Sequence, residues 1–140
     1  MPLTWIVYIL TALAVVVVML TRVRLGGDRG AGRFRISPVL LNIHTGAGVL
    51  AILIWTAFLV TGAGEGEGHS IVGVVGLACF WLTTVVGLMI LFRWLPSTGK
   101  HSSEAVHDTW STGPGLSVLA HVGMFLGVCV FTWAYLTSAV

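Results

Sequence analysis

The sequence predicts an all-α membrane protein in which four transmembrane helices form an up-down bundle. Of its 140 residues, 56% are hydrophobic and only 9% are charged, whereas a soluble domain carries roughly 25% charged residues. Four apolar runs follow one another, and each has the roughly 20 residues that a helix needs to cross the hydrocarbon layer. Because lipid offers no hydrogen-bond partner to the backbone, such runs are expected to be helices.

We predict one integral membrane domain with helices over residues 3–20, 36–60, 71–95 and 115–140. The first loop, 21–35, is rich in glycine and arginine, and the second, 62–69, is acidic. The third loop, 96–112, begins with Pro96, which is a strong helix stop. The first apolar run is expected to be retained, because basic residues follow it and do not precede it as in a signal peptide.

The basic residues predict the orientation of the chain. All seven lysines and arginines lie in two stretches, and the second loop carries only Glu65 and Glu67 as charged residues. By the positive-inside rule, loops 21–35 and 96–112 are cytoplasmic, and both termini lie outside the cell membrane. The sequence lacks the continuous basic face that binding to nucleic acid requires, so nucleic acid is not an expected partner. The seven basic residues are Arg22, Arg24, Arg29, Arg33, Arg35, Arg93 and Lys100.

Small residues recur at spacings that suit close contact between membrane helices. Gly123 and Gly127 form a GxxxG pair, and Ala47 and Ala51 form a similar pair in the second helix. Tight van der Waals packing is a main driver of helix association in lipid, so we expect these positions at interfaces. The third predicted helix adds Gly73, Gly76 and Gly87.

Two of the five histidines lie inside predicted helices, namely His44 and His121. His69, His101 and His107 fall at a helix entry or in the third loop, where an imidazole needs no special role. An ionisable side chain within a membrane helix is costly and indicates a functional site.

The depths of His44 and His121 are predicted to match. His44 follows Arg35 by nine residues, and His121 follows Trp110 by eleven, which gives depths of about 13 and 16 Å. The second and fourth helices run in the same direction and can lie diagonally across a bundle. Two imidazoles at one level are what bis-histidine ligation of haem iron requires.

The neighbouring residues suit a haem. Gly48 leaves space for a flat macrocycle, and Arg33 and Arg35 are placed to pair with propionates. Three alternatives stay open: buried histidines bonded to hydroxyl or carbonyl groups in a cofactor-free accessory subunit, a chlorophyll-type pigment, and a metal or ion pathway.

Three segments carry a family resemblance: HTGAGVLAILIW at 44–55, HSIVGVVG at 69–76 and HVGMFLG at 121–127. They resemble the cores of small four-helix b-type cytochromes, including the cytochrome b561-like group. That family usually holds two haems, but the first helix here has no histidine, so one haem b is expected. The resemblance implies one-electron transfer within the membrane, or to and from quinone.

Other chemistry has little support in the sequence. We find no phosphate-binding glycine loop with lysine, no CxxC and no HExxH motif. No acidic residue falls inside a predicted helix, which argues against a proton-coupled transporter. The chain is therefore interpreted as an electron-transfer or anchoring subunit of a larger respiratory or photosynthetic membrane complex, and not as an enzyme by itself.

Overall fold

The computed structural model describes residues 1–26, 37–61, 71–94 and 115–140. These residues form four helices, α1 (Leu3–Gly26), α2 (Pro38–Val60), α3 (Ile71–Trp94) and α4 (Gly115–Leu136). The all-α prediction is confirmed for this part of the chain. Three of the helices are long and apolar enough to cross a membrane, over Pro38–Val60, Ile71–Phe92 and Val118–Leu136. The remaining helix, α1, has a shorter apolar stretch over Leu3–Met19.

Helix α1 continues six residues beyond the predicted end at residue 20. Arg22 and Arg24 therefore belong to this helix and not to a loop. Arginine is a good helix former, so the arginines that we interpreted as loop residues extend the helix. Glycine is a poor helix former, and α1 ends at Gly26.

Helices α2 and α4 also differ slightly from their predicted bounds. Helix α2 begins at Pro38, two residues late, because the residue before a proline avoids the helical conformation and Ser37 is extended at φ −56° and ψ 128°. Helix α4 ends at Leu136, four residues before the predicted end. Ser138 adopts a left-handed φ of 51°, and the Ala139 amide donates to the Ala134 carbonyl at 2.9 Å. This pattern is a Schellman cap, which stops the helix.

The helices pack side by side in a cyclic order. Helix α3 packs most extensively against α2 and also against α4, while α1 contacts α2 and α4. Helices α2 and α4 consequently lie on a diagonal. Gly87 late in α3 faces His44 early in α2, and Gly76 early in α3 faces Trp55 late in α2, so α2 and α3 are antiparallel.

Aromatic side chains form the core between α2, α3 and α4. Trp55, Phe80 and Phe131 are fully buried. The Trp55 and Phe131 rings lie 5.2 Å apart between centroids, and those of Phe58 and Tyr135 lie 5.6 Å apart. The later residue of α2, Phe58, pairs with the later residue of α4, Tyr135. The two diagonal helices are therefore parallel.

The outward faces of the helices are apolar. Leu53, Phe92 and Leu119 each expose more than half of their surface. Exposed apolar side chains of this kind are compatible with contact with a lipid bilayer. Threonine hydroxyls are satisfied within the helices, as where Thr84 Oγ1 donates to the Phe80 carbonyl at 2.9 Å.

The small residues behave differently on different helices. At Gly76 a Cβ would lie only 3.2 Å from the backbone nitrogen of Trp55, so this glycine permits the close approach of α2 and α3. Ala47 and Ala51 are buried, as predicted for an interface. At Gly123 and Gly127 a Cβ would meet no described atom within 4 Å. This GxxxG pair is therefore not a close helix contact within the described residues.

Candidate functional site: an imidazole pair between α2 and α4

The structure brings His44 and His121 together between α2 and α4, near the ends where these two helices begin. Their ring centroids are 6.1 Å apart, and their planes differ by 18°. Each histidine lies six residues after the first residue of its own helix. Because α2 and α4 are parallel and in register, this equal spacing puts both imidazoles at one level.

The orientation of the His44 ring is fixed by the backbone of α3. Its Nδ1 lies 3.0 Å from the carbonyl oxygen of Thr83. A carbonyl can only accept a hydrogen bond, so Nδ1 carries the proton and donates. In this tautomer the Nε2 of His44 has its lone pair available. Metal-binding histidines commonly donate their other ring N–H to a backbone carbonyl in this way.

Gly87 of α3 completes the site. A Cβ at this position would lie 2.8 Å from His44 Cε1 and 2.9 Å from His121 Cδ2. Real Cβ atoms essentially never approach so closely, so only glycine suits this position beside the two rings. The sequence interpretation placed Gly87 at a helix interface but did not assign it to the site. Only the register of α3 against α2 and α4 could have identified it.

Side chains of α3 and α1 surround Gly48, the residue one turn after His44. The atoms nearest to a Cβ at this residue belong to the side chains of Thr83 and Val18, at 3.4 Å and 3.7 Å. Neither imidazole is among these nearest neighbours. Gly48 is buried in the contact of α2 with α1 and α3, and Gly87 lies against the two rings.

The remaining predicted site residues lie outside the described residues. Arg33 and Arg35, the expected partners of propionates, fall in this part of the sequence. His69, His101 and His107 do so as well. Among the residues that the structure describes, no group of three or more His, Cys, Asp or Glu side chains comes together. The candidate site is therefore built on two imidazoles, one carbonyl and one glycine.

The ring-centre distance of the pair matches that of two imidazoles that bind one metal ion from opposite sides. A bond from a transition metal to an imidazole nitrogen is about 2 Å long, and the ring centre lies about 1 Å behind the nitrogen, which gives about 6 Å between ring centres. The observed 6.1 Å agrees with this value. The space between the two rings and Gly87 of α3 is too narrow even for a Cβ atom. A porphyrin extends on every side of its iron, so its binding requires α3 to move outward at Gly87.

The fold and the site together define a class: an all-helical protein with membrane-compatible helices and a bis-imidazole pair between two parallel helices. No model of a known protein family matches the chain, and comparisons with curated proteins and with solved structures find no significant match.

Proposed function

We propose that the chain is a membrane cytochrome b-like subunit that binds one haem b through His44 and His121. It serves in electron transfer, or as an anchor, within a larger respiratory or photosynthetic complex. In this proposal all four helices span the cell membrane as an up-down bundle. Both termini lie outside, and the segments 21–35 and 96–112 face the cytoplasm, as the distribution of basic residues favours.

The single observation that supports this function best is the geometry of the imidazole pair. Two parallel helices present their rings 6.1 Å apart between centroids, with planes that differ by 18°. A half-buried pair of ionisable groups in an apolar helix bundle is costly to maintain without a role. A chlorophyll-type pigment takes a single axial imidazole, so the facing pair favours a six-coordinate haem over a pigment.

The residues of the site have separate tasks in the proposed subunit. His44 and His121 hold the iron, and the Thr83 carbonyl keeps His44 in the tautomer that can bind it. Arg33 and Arg35 are proposed to pair with the propionates. When bound, the haem supplies a reversible one-electron couple. Other membrane subunits or a quinone exchange electrons with it in this proposal.

An absorption spectrum of the purified protein, oxidised and then reduced with dithionite, tests the proposal. Purification in mild detergent with native partners is required so that a cofactor is retained. We expect sharp b-type bands on reduction. Both His44→Ala and His121→Ala should remove those bands, because neither leaves a pair of axial ligands.

The matched control is His101→Ala, which removes a histidine from the third loop and should leave the spectrum unchanged. A wild-type spectrum that contains only protein absorbance would overturn the haem proposal. Strong far-red bands without a redox change would indicate a chlorophyll-type pigment instead.

A second candidate function is that of a cofactor-free accessory subunit, and two observations favour it. Helix α3 already touches both rings at Gly87, and His44 already has a hydrogen-bond partner in Thr83. A pair packed in this way can be purely structural. In that case His44→Ala costs only modest stability, and no visible band is present to be lost.

A further inference from the structure

The edges of the two imidazoles converge on one point beside α3. A Cβ on Gly87 would lie 2.8 Å from Cε1 of His44, and it would lie 2.9 Å from Cδ2 and 3.2 Å from Nε2 of His121. Cε1 and Cδ2 are the two ring carbons bonded to Nε2. The Nε2 ends of both rings therefore lie close to the same glycine, near the start of α2 and α4.

The pair offers ring nitrogens to an ion that is smaller than a macrocycle. The Thr83 carbonyl accepts from Nδ1 of His44 at 3.0 Å, so Nε2 of this ring carries the lone pair. The ring centroids are 6.1 Å apart, which is close to the separation of two imidazoles that each bind one ion at about 2 Å. Carbon contacts below 3.0 Å essentially never occur, whereas a metal–nitrogen bond is about 2 Å long. The space that excludes a Cβ therefore suits a bare ion.

The surroundings of the pair favour a monovalent ion with two ligands. Both histidines are half-buried, and the sequences of α1 to α4 contain no Asp or Glu that would neutralise an added charge. The free energy needed to move an ion out of water rises steeply with its charge. Zinc in proteins prefers four ligands, whereas the closed-shell ion Cu(I) is stable with two nitrogen ligands in a line. Imidazole is a common ligand of copper.

We propose that His44 and His121 bind one bare Cu(I) ion between their Nε2 atoms, with Gly87 of α3 beside it. The ion arrives as Cu(I), so binding forms two copper–nitrogen bonds and needs neither an oxidant nor a reductant. This inference goes beyond the haem function, because it concerns the chain with α3 in its described position and no macrocycle at the pair. Thr83 acts as a positioning residue, since its carbonyl holds the His44 ring.

The test uses full-length protein in detergent that shows no b-type bands, in a Cys79→Ala, Cys129→Ala background that removes thiol ligands. Anaerobic titration with the coloured Cu(I) complex of bicinchoninate measures how much copper the protein takes from this chelator. We expect one Cu(I) per chain and an X-ray absorption spectrum with two nitrogen neighbours at about 2 Å. His44→Ala and His121→Ala should each abolish this binding. The control His101→Ala should retain it.

Gly87→Ala separates the loss of ion binding from the loss of the fold, because it keeps both ligands. Its Cβ would lie 3.2 Å from Nε2 of His121, so we expect weaker copper binding. Gly46→Ala should bind copper as the parent protein does, since a Cβ there meets nothing within 4 Å. Three results would overturn the inference: no copper uptake by the parent protein, copper retained when both histidines are replaced, or a sulfur neighbour in the absorption spectrum.

Failure of the copper site and failure of the haem function are distinguishable. b-type bands in the natively purified protein, together with no copper uptake by haem-free protein, would contradict only the copper inference. Copper uptake that depends on both histidines, together with only protein absorbance after native purification, would contradict only the haem proposal.

Discussion

Gly87 is the residue whose role depends most directly on the three-dimensional arrangement. It stands on α3 opposite two histidines that come from two other helices. Any side chain here would enter the space beside both rings, and the neighbours that must give way are the proposed ligands. The restriction is steric and does not come from backbone conformation, since the position is helical.

Gly87→Ala is therefore expected to disturb the site without removing a ligand. Its Cβ would lie 2.8 Å from His44 and 2.9 Å from His121, so the rings or α3 must shift. Overpacking of this kind typically costs about 1–3 kcal/mol. We expect a lower melting temperature in detergent and reduced or spectrally shifted haem binding, both measured on the purified protein.

Gly46→Ala is the matched control, because Gly46 lies two residues from His44 on α2 and a Cβ there meets nothing within 4 Å. It should leave the spectrum unchanged. Equal effects of the two substitutions would contradict the contact assigned to Gly87.

Among the residues of the candidate site, the sequence identifies the histidines better than the glycines. His44 and His121 are conspicuous because ionisable groups are rare in membrane helices, and their equal depth follows from the rise per residue. Gly48 was assigned to the site because it is one turn from His44. Gly87, which lies beside both rings, is 43 residues from His44 in sequence, so no local spacing could reveal it.

The contact of α2 with α3 is the closest helix pairing, and glycine permits it. Gly76 lets the α3 backbone approach the backbone of Trp55, where a Cβ would lie 3.2 Å from N and 3.3 Å from Cα. Backbone atoms cannot rotate aside as a flexible side chain can. In lipid, where close packing drives helix association, such contacts contribute directly to stability.

Gly76→Ala should consequently weaken the α2–α3 pair. We expect destabilisation of about 1–3 kcal/mol from overpacking, seen as a lower midpoint of thermal unfolding in detergent. Gly123→Ala is the comparison, since a Cβ there is free of described neighbours. Alanine is favoured over glycine within a helix by roughly 0.5–1 kcal/mol, so this variant should be neutral or slightly more stable. A loss of stability in Gly123→Ala that equals the loss in Gly76→Ala would refute the distinction.

The helices themselves were largely predictable, because long apolar runs leave the backbone few alternatives. The residues at which the helices end were harder to predict. The end of α1 was placed at the last apolar residue, although a helix continues into polar sequence wherever propensity allows. The end of α4 depends on the left-handed Ser138, a conformation that is uncommon for serine and gives no clear signal in sequence.

At the scale of the whole molecule, charge and core are distributed unevenly along the helix axes. The basic residues lie in the segments that flank the starts of α2 and α4, and this is also the end nearer to the imidazole pair. The aromatic core fills the other half. The Thr4 hydroxyl donates to the Ala139 carbonyl at 3.0 Å, so the two ends of the chain meet at the face remote from the site.

The orientation proposed for the chain has a direct test in labelling of single cysteines. Ser138→Cys, at the exposed C-terminal end, and Ser102→Cys, in the third loop, are made separately in a Cys79→Ala, Cys129→Ala background. Loops rich in lysine and arginine stay cytoplasmic, so an impermeant maleimide should label Ser138→Cys in intact cells. Ser102→Cys should react only after permeabilisation. The reverse pattern would contradict the proposed orientation and place the imidazole pair near the outer face.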